Sequence, residues 1–258
     1  MKKSLIALAV VGTFAAPAFA EEPASPHTLT ANVGLTSNYI FRGISQSQHR
    51  PAIQGGFDYS HSSGLYAGTW ASNVNWVSRP DYSAKNGNSM EWDFYAGYRG
   101  GFADDFTYDV GAIQYYYPGD KNGNPTADST EVYLGLGWKF ISLKYSYSVS
   151  EYLFGWSNWA ATREKNRGSG YLDLSANYDL GNGWGIQGHV GHQSIKNNGE
   201  ASYTDWKLGV TKDVGFGVVG LAYTDTNAKT CGNLTAAYCW NGKDVAQARG
   251  TLSFSKSF

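Results

Sequence analysis

Apolar and polar residues alternate with a period of two along most of the chain, the signature of strands with one oily and one wet face. Leu29, Ala31, Val33 and Leu35 oppose Thr30, Asn32 and Gly34, and the same parity runs on through Tyr39 and Phe41. Ile53, Phe57 and Tyr59 oppose Gln54 and Asp58. Residues 65–76 form a third strand whose facing the pattern leaves open. Trp92, Phe94 and Tyr98 then oppose Glu91, Asp93 and Arg99, and Phe106, Tyr108 and Val110 oppose Thr107 and Asp109. Val132, Leu134, Leu136 and Trp138 oppose Glu131, Tyr133 and Lys139. Leu143, Tyr145 and Tyr147 oppose Lys144 and Ser146, while Leu172, Leu174 and Tyr178 oppose Asp173 and Ser175. Trp184, Ile186 and Val190 oppose Gln187, His189 and Gln193, and Trp206, Leu208 and Val210 oppose Lys207 and Thr211. The last stretch, residues 246–258, sets Leu252, Phe254 and Phe258 against Arg249, Thr251 and a row of serines.

This pattern predicts about twelve strands, an even number, with connections that alternate between short and long. The short ones fall near Ser62, Gly101, Phe140, Asn182 and Asp213. The long ones fall near Ser47, Asp81, Asn122, Trp159, Asn198 and Asn233. A sandwich has no reason to sort its loops this way. A transmembrane antiparallel β-barrel does, with short periplasmic turns and long extracellular loops. Aromatic placement fits two interfacial girdles. Tyr59, Tyr98, Trp138, Tyr178 and Trp184 flank short turns; Tyr39, Phe41, Trp92, Tyr147, Tyr171 and Trp206 flank long loops.

Composition agrees. Nineteen Tyr, nine Trp and 32 Gly sit in a chain with a mean hydropathy of -0.38. Residues 1–20 read as a cleaved signal peptide, with Lys2-Lys3, an apolar core and Ala18-Phe19-Ala20 at the cleavage site. Residues 21–258 then form the barrel. No apolar run is long enough for a membrane helix. The net charge of -1 gives no basis for nucleic-acid binding. Cys231 and Cys239 read as a disulfide in an oxidising compartment.

The parity places Glu91, Asp93, Arg99, Asp109, Glu131, Lys139, Lys144, Asp173, His189, Lys207 and Arg249 on the inner face. Lysine or arginine facing lipid at the midplane would cost about 2–4 kcal/mol. Two readings of these charges stay open: a water-filled, weakly selective lumen, or a mutually neutralising plug. Arg42 is a candidate for the mouth, or for bonding loop carbonyls. The catalytic search is thin. His61 with Ser62 and Ser63, and His192 with Ser194, have no orienting acid at a distinctive spacing. No metal-ligand cluster and no cofactor motif is found.

Residues 37–47 (SNYIFRGISQS), 51–59 (PAIQGGFDY), 64–74 (GLYAGTWASNV), the strand from Gly170 and the terminal SKSF resemble the TorF-type porins, a Gram-negative family of unknown function. The resemblance implies an outer-membrane barrel with a porin-like role; it supplies no catalytic residues. The expected function is passive diffusion of small hydrophilic solutes or ions. A non-conducting structural or surface-interaction barrel is the alternative, and a barrel hydrolase a third. Expected partners are outer-membrane lipids, small polar solutes and the barrel-assembly machinery, which would read Phe258 in the closing strand. Oligomeric state stays open.

Overall fold

The computed structural model describes residues 25–76, 89–120, 125–156, 164–229, 231–232, 237–240 and 242–258. The expected signal segment and the loop positions Asp81, Asn122, Trp159 and Asn233 lie outside them. In chain order the strands are β1 (His27–Thr36), β2 (Ile40–Phe41), β3 (Ile44–Ser45), β4 (Ala52–His61), β5 (Leu65–Asn73), β6 (Met90–Phe102), β7 (Phe106–Tyr116) and β8 (Ser129–Trp138). There follow β9 (Ile141–Ser148), β10 (Gly170–Gly181), β11 (Trp184–Ser194), β12 (Tyr203–Asp213), β13 (Val218–Thr226), β14 (Cys239–Trp240), β15 (Lys243–Asp244) and β16 (Arg249–Ser257).

Twelve of these close into an antiparallel barrel, in the order β1-β4-β5-β6-β7-β8-β9-β10-β11-β12-β13-β16 and back to β1. The pairs β2–β3 and β14–β15 are small hairpins outside the ring. Closure leaves no free sheet edge over the paired length, which is what a strand protein needs in lipid. The seam pairs Asn32–Thr36 of β1 with Ser253–Ser257 of β16. Phe258 extends it by two backbone bonds to Ala31, of 2.8 and 3.1 Å.

The alternation sorts as expected. Leu29, Phe57, Leu134, Leu208 and Leu252 face outward and are exposed, forming the apolar band a lipid-facing barrel wall requires. Residues 65–73 now have a facing: Leu65 points out, and Tyr66, Gly68, Trp70 and Ser72 point in. Inside, tyrosine rings lie flat over inward glycines of the neighbouring strands. A Cβ on Gly97 would sit 2.5 Å from the Tyr66 hydroxyl, and one on Gly111 would sit 2.6 Å from that of Tyr133.

Short connections, residues 62–64, 103–105, 139–140, 182–183 and 214–217, gather at one end, and the long ones at the other. Tyr59, Tyr98, Trp138, Tyr178 and Trp184 all face outward at the short-turn end. At the long-loop end Trp92, Tyr147 and Trp206 do the same, but Tyr39, Phe41 and Tyr171 do not. Tyr171 has the inward parity of Asp173 and is buried. Tyr39 and Phe41 do not continue β1, because the strand stops at Thr36. Thr36 Oγ1 donates to the Asn38 carbonyl, and Asn38 Oδ1 accepts from the Ser45 and Ser47 hydroxyls. Such local side-chain bonds offer the backbone an alternative to the ladder. The closing strand likewise begins at Arg249 rather than Ala246, which is buried in the preceding loop.

Candidate functional site

The hydrophobic core of this molecule sits at the long-loop end, inside and above the barrel mouth. Tyr39 and Ile44 from the first loop pack there with Trp70, Val74, Trp76, Tyr115, Tyr117, Tyr203, Tyr238, Trp240 and Val245. Tyr39 meets Trp70 edge-on at 5.4 Å, and Trp76 meets Tyr117 at 5.1 Å and Trp240 at 5.7 Å. Cys231 and Cys239 are joined as a disulfide, adjacent to Tyr238 and Trp240. The first loop, residues 37–51, therefore turns into the barrel instead of away from it.

At its tip lies Arg42. The sequence suggests that it lines the mouth or bonds loop carbonyls; it lines the cavity at the loop end, and its guanidinium bonds wall side chains rather than loop carbonyls. Its guanidinium crosses the lumen and makes a forked pair with Glu131 on β8, at 3.0 and 2.7 Å, plus a bond to Gln193 Oε1 on β11 at 2.9 Å. Counting round the ring from β1, β8 is the fifth strand one way and β11 the fourth the other way. The tip thus reaches far walls on both sides. Phe41 and Tyr171 flank the cation at 4.8 and 4.3 Å. Gly43 beside it has φ +77°, and an added Cβ would lie 2.5 Å from side-chain atoms of Asp205 and Thr226. Only glycine lets the tip come this close to β12 and β13. Tyr39 donates to Glu91 at 2.9 Å, Tyr203 donates to the Arg42 carbonyl at 2.7 Å, and Ser45 donates its N–H to Val245.

This seating has opposing terms. Arg42, Gln48 and His49 all have positive φ, of 47°, 50° and 66°. Each such non-glycine conformation costs on the order of 1–3 kcal/mol. Removing one partner of a buried ion pair costs about 3–5 kcal/mol. The Arg42–Glu131 pair, with side chains 8% and 0% exposed, is of that kind. The fork is what holds a backbone that would otherwise relax.

The inner wall carries two polar networks, one toward the short turns and one behind Arg42. In one, Tyr66 donates to Asp109 at 2.6 Å and contacts the Tyr133 hydroxyl; Arg99 lies 4.9 Å from the Tyr66 ring and Lys144 lies 3.7 Å from that of Tyr133. In the other, His189 bridges Asp173 at 3.0 Å and Asp205 at 2.9 Å, while Tyr171 donates to Asp205 at 2.8 Å. Lys207, half-buried, pairs across the ladder with His189. Glu91 accepts from Tyr39 and, at 3.0 Å, from Tyr117. Asp93 Oδ1 and Arg249 Nε are buried on the inner wall without a hydrogen-bond partner among the described residues. A cavity of about 190 Å³ runs beside Asn32, Gln54, Gln187, Thr211 and Ser253. At roughly 10–15 Å³ per water it has room for on the order of ten waters.

Of the candidate inner residues, Lys139 is the exception. The chain leaves β8 at Trp138, and Lys139 takes φ 54° in the two-residue turn. Its ammonium lies over the Trp138 ring at 5.1 Å and 3.9 Å from Asp105, outside the lumen. Parity counts hold only while the strand lasts. Asp205 and Tyr171 are inner residues that the same counting could have found, from the outward Trp206 and Leu172. Nothing in the sequence marked the fork between residues 42 and 131.

The histidine–serine pairs build no catalytic arrangement. His61 Nδ1 and the Ser63 hydroxyl are 2.8 Å apart within an exposed turn, and His192 faces outward and contacts Thr204 at 2.9 Å. Ser175 is 3.1 Å from His189 Nδ1, yet both ring nitrogens of that histidine already face carboxylates. An imidazole with both nitrogens so engaged leaves neither free to take the Ser175 proton. No group of three or more metal-ligating side chains occurs among the described residues.

Solved structures share this architecture. The chain aligns with the KdgM porin at 8% identity and a TM-score of 0.53, covering 90% of this chain and 99% of that one. It aligns with the NanC porin at 14% identity and the same score and coverage. At these identities the likeness is one of fold. No match is found among curated protein sequences. A family model described as a bacterial protein of unknown function (Gcw_chp) matches residues 20–258, and the chain belongs to that family.

Proposed function

We propose that this chain is an outer-membrane channel of the porin type, through which small hydrophilic solutes or ions diffuse passively. The observation that carries the reading is the two-sided wall: apolar outside, and inside a set of charged and tyrosyl networks beside a water-sized cavity. A polar lining is expected of a barrel that conducts water and solutes. The fold likeness to the KdgM and NanC porins supports it. In this reading the long loops face the cell exterior and the short turns the periplasm of a Gram-negative cell. The TorF-type resemblance belongs to the same reading, as does recognition of the Phe258 strand by the assembly machinery.

Selectivity follows from the lining. Asp58, Glu91, Asp93, Asp109, Glu131, Asp173 and Asp205 face Arg42, Arg99, Lys144, Lys207 and Arg249, with His189 between carboxylates. Both signs are present, seven carboxylates against five cations and His189, so the field is weak and leans toward cations. Planar-bilayer recording of the refolded protein tests this. Unitary steps with a reversal potential slightly on the cation side are expected, shifting further in Lys144→Glu and back in Asp109→Lys. A folded, inserted barrel that stays silent, both as wild type and with residues 38–48 replaced by a glycine linker, would overturn the channel reading.

One observation favours the alternative of a non-conducting barrel: the first loop fills the lumen at the long-loop end. The silent outcome would leave that reading standing.

A further inference from the structure

We infer that the β2–β3 hairpin is a displaceable plug, and that the fork between Arg42 and Glu131 is its latch. The inference rests on the channel reading for its consequence, but not for its geometry. A loop that simply completed a permanent core would bury apolar groups and satisfy its polar ones. This one does so only in part. The buried Asn38 Nδ2, Gln48 Nε2 and His49 Nδ1 have no hydrogen-bond partner among the described residues, and all three belong to the same loop. That loop also holds three of the non-glycine residues with positive φ. Unpaired polar atoms and backbone strain are thus concentrated in the segment that blocks the lumen.

The contacts that hold the tip combine long-range polar bonds with packing of Phe41 and Ile44. Beyond the fork the polar ones include the Arg42 bond to Gln193, the Tyr203 bond to the Arg42 carbonyl, the Tyr39 bond to Glu91, the Ser45 bond to Val245 and the His49 contact with the Asp244 carbonyl. The wall behind the tip is itself lined by Asp205, Tyr171 and His189, which remain mutually bonded if the hairpin leaves. Withdrawal therefore leaves a bonded polar wall on that side, while Tyr39, Phe41 and Ile44 leave the aromatic core at the loop end. The seam between the hairpin and the covering loops, near Trp76, Tyr117 and Trp240, holds a cavity of about 40 Å³. That is room for about three waters, too little for a solute. On this reading a solute passes the tip only when the hairpin moves.

The test uses the full barrel, folded in detergent with its disulfide intact, carrying Ile44→Cys as a reporter. Ile44 is 2% exposed in the hairpin. Its thiol should react slowly with a water-soluble methanethiosulfonate reagent. Adding Arg42→Ala, or separately Glu131→Gln, should raise that rate about tenfold or more, as expected when a state held by one buried ion pair is released. Gel mobility before and after heating checks that each variant is folded. Unchanged labelling in both folded variants would overturn the plug. Conductance of the same variants separates this from the channel reading. Faster labelling with a silent barrel keeps the plug and rejects the channel. Equal conductance with slow labelling in all forms rejects the plug and keeps the channel.

Discussion

At the scale of single residues, small changes of shape and charge decide what the inner wall can be. The tyrosines that line it fit only because glycine faces them. Gly97→Ala would bring a methyl to 2.5 Å from both the Tyr66 hydroxyl and the Val110 carbonyl. Overpacking of this sort costs about 1–3 kcal/mol. The variant should unfold at lower guanidinium concentration than wild type, while Gly188→Ala, with nothing within 4 Å, should not. Equal midpoints would contradict the flat packing of these rings. His49 offers a pH-dependent contrast. Its Nε2 lies 2.8 Å from the Asp244 carbonyl, joining the first loop to the last. Burial lowers its pKa against the pull of that bond, with Arg249 and Lys243 nearby adding to the effect. A lowered folded value means this contact stabilises at pH above the ordinary value of about 6.5 and is lost as pH falls through the lowered one. Proteolysis of the first loop should quicken on acidification, and the dependence should flatten in His49→Gln.

At the scale of elements, period-two alternation marks nearly every strand and its facing, because a one-residue slip would turn the whole apolar set away from lipid. The errors have physical causes. Parity does not extend past Thr36 into Tyr39 and Phe41, because Asn38 ends the ladder by bonding Ser45 and Ser47. Nor does it extend past Trp138 into the turn at Lys139. The inner positions of Glu91, Asp109, Glu131, Asp173 and His189 were legible from local pattern alone. Their partners were not, since Arg42 and Glu131 are separated by 89 residues and meet only after the barrel closes. The disulfide was legible as a pair but not as the staple of a loop that seats Tyr238 and Trp240. Replacing Cys231 and Cys239 with serine should leave barrel unfolding unchanged and make the last loop more readily cleaved. A large loss of barrel stability would show instead that this loop helps hold the strands. The closing strand has its own test. Removing Phe258 deletes two seam bonds to Ala31. Assembly into the heat-resistant form should slow more than in any loop variant.

At the scale of the whole molecule, the barrel separates two jobs. The strand wall meets lipid outside and carries paired charges inside. The loops gather an aromatic core at one end and place a hairpin across the path. That division explains why the composition is polar on average yet rich in tyrosine and tryptophan. The most direct test is solute efflux from proteoliposomes, comparing wild type with a barrel in which residues 38–48 are replaced by a short glycine linker. The account predicts slow efflux of a small sugar from wild type and several-fold faster efflux from the hairpin-less barrel. A hairpin-less barrel that is folded, inserted and still tight to the sugar would contradict it.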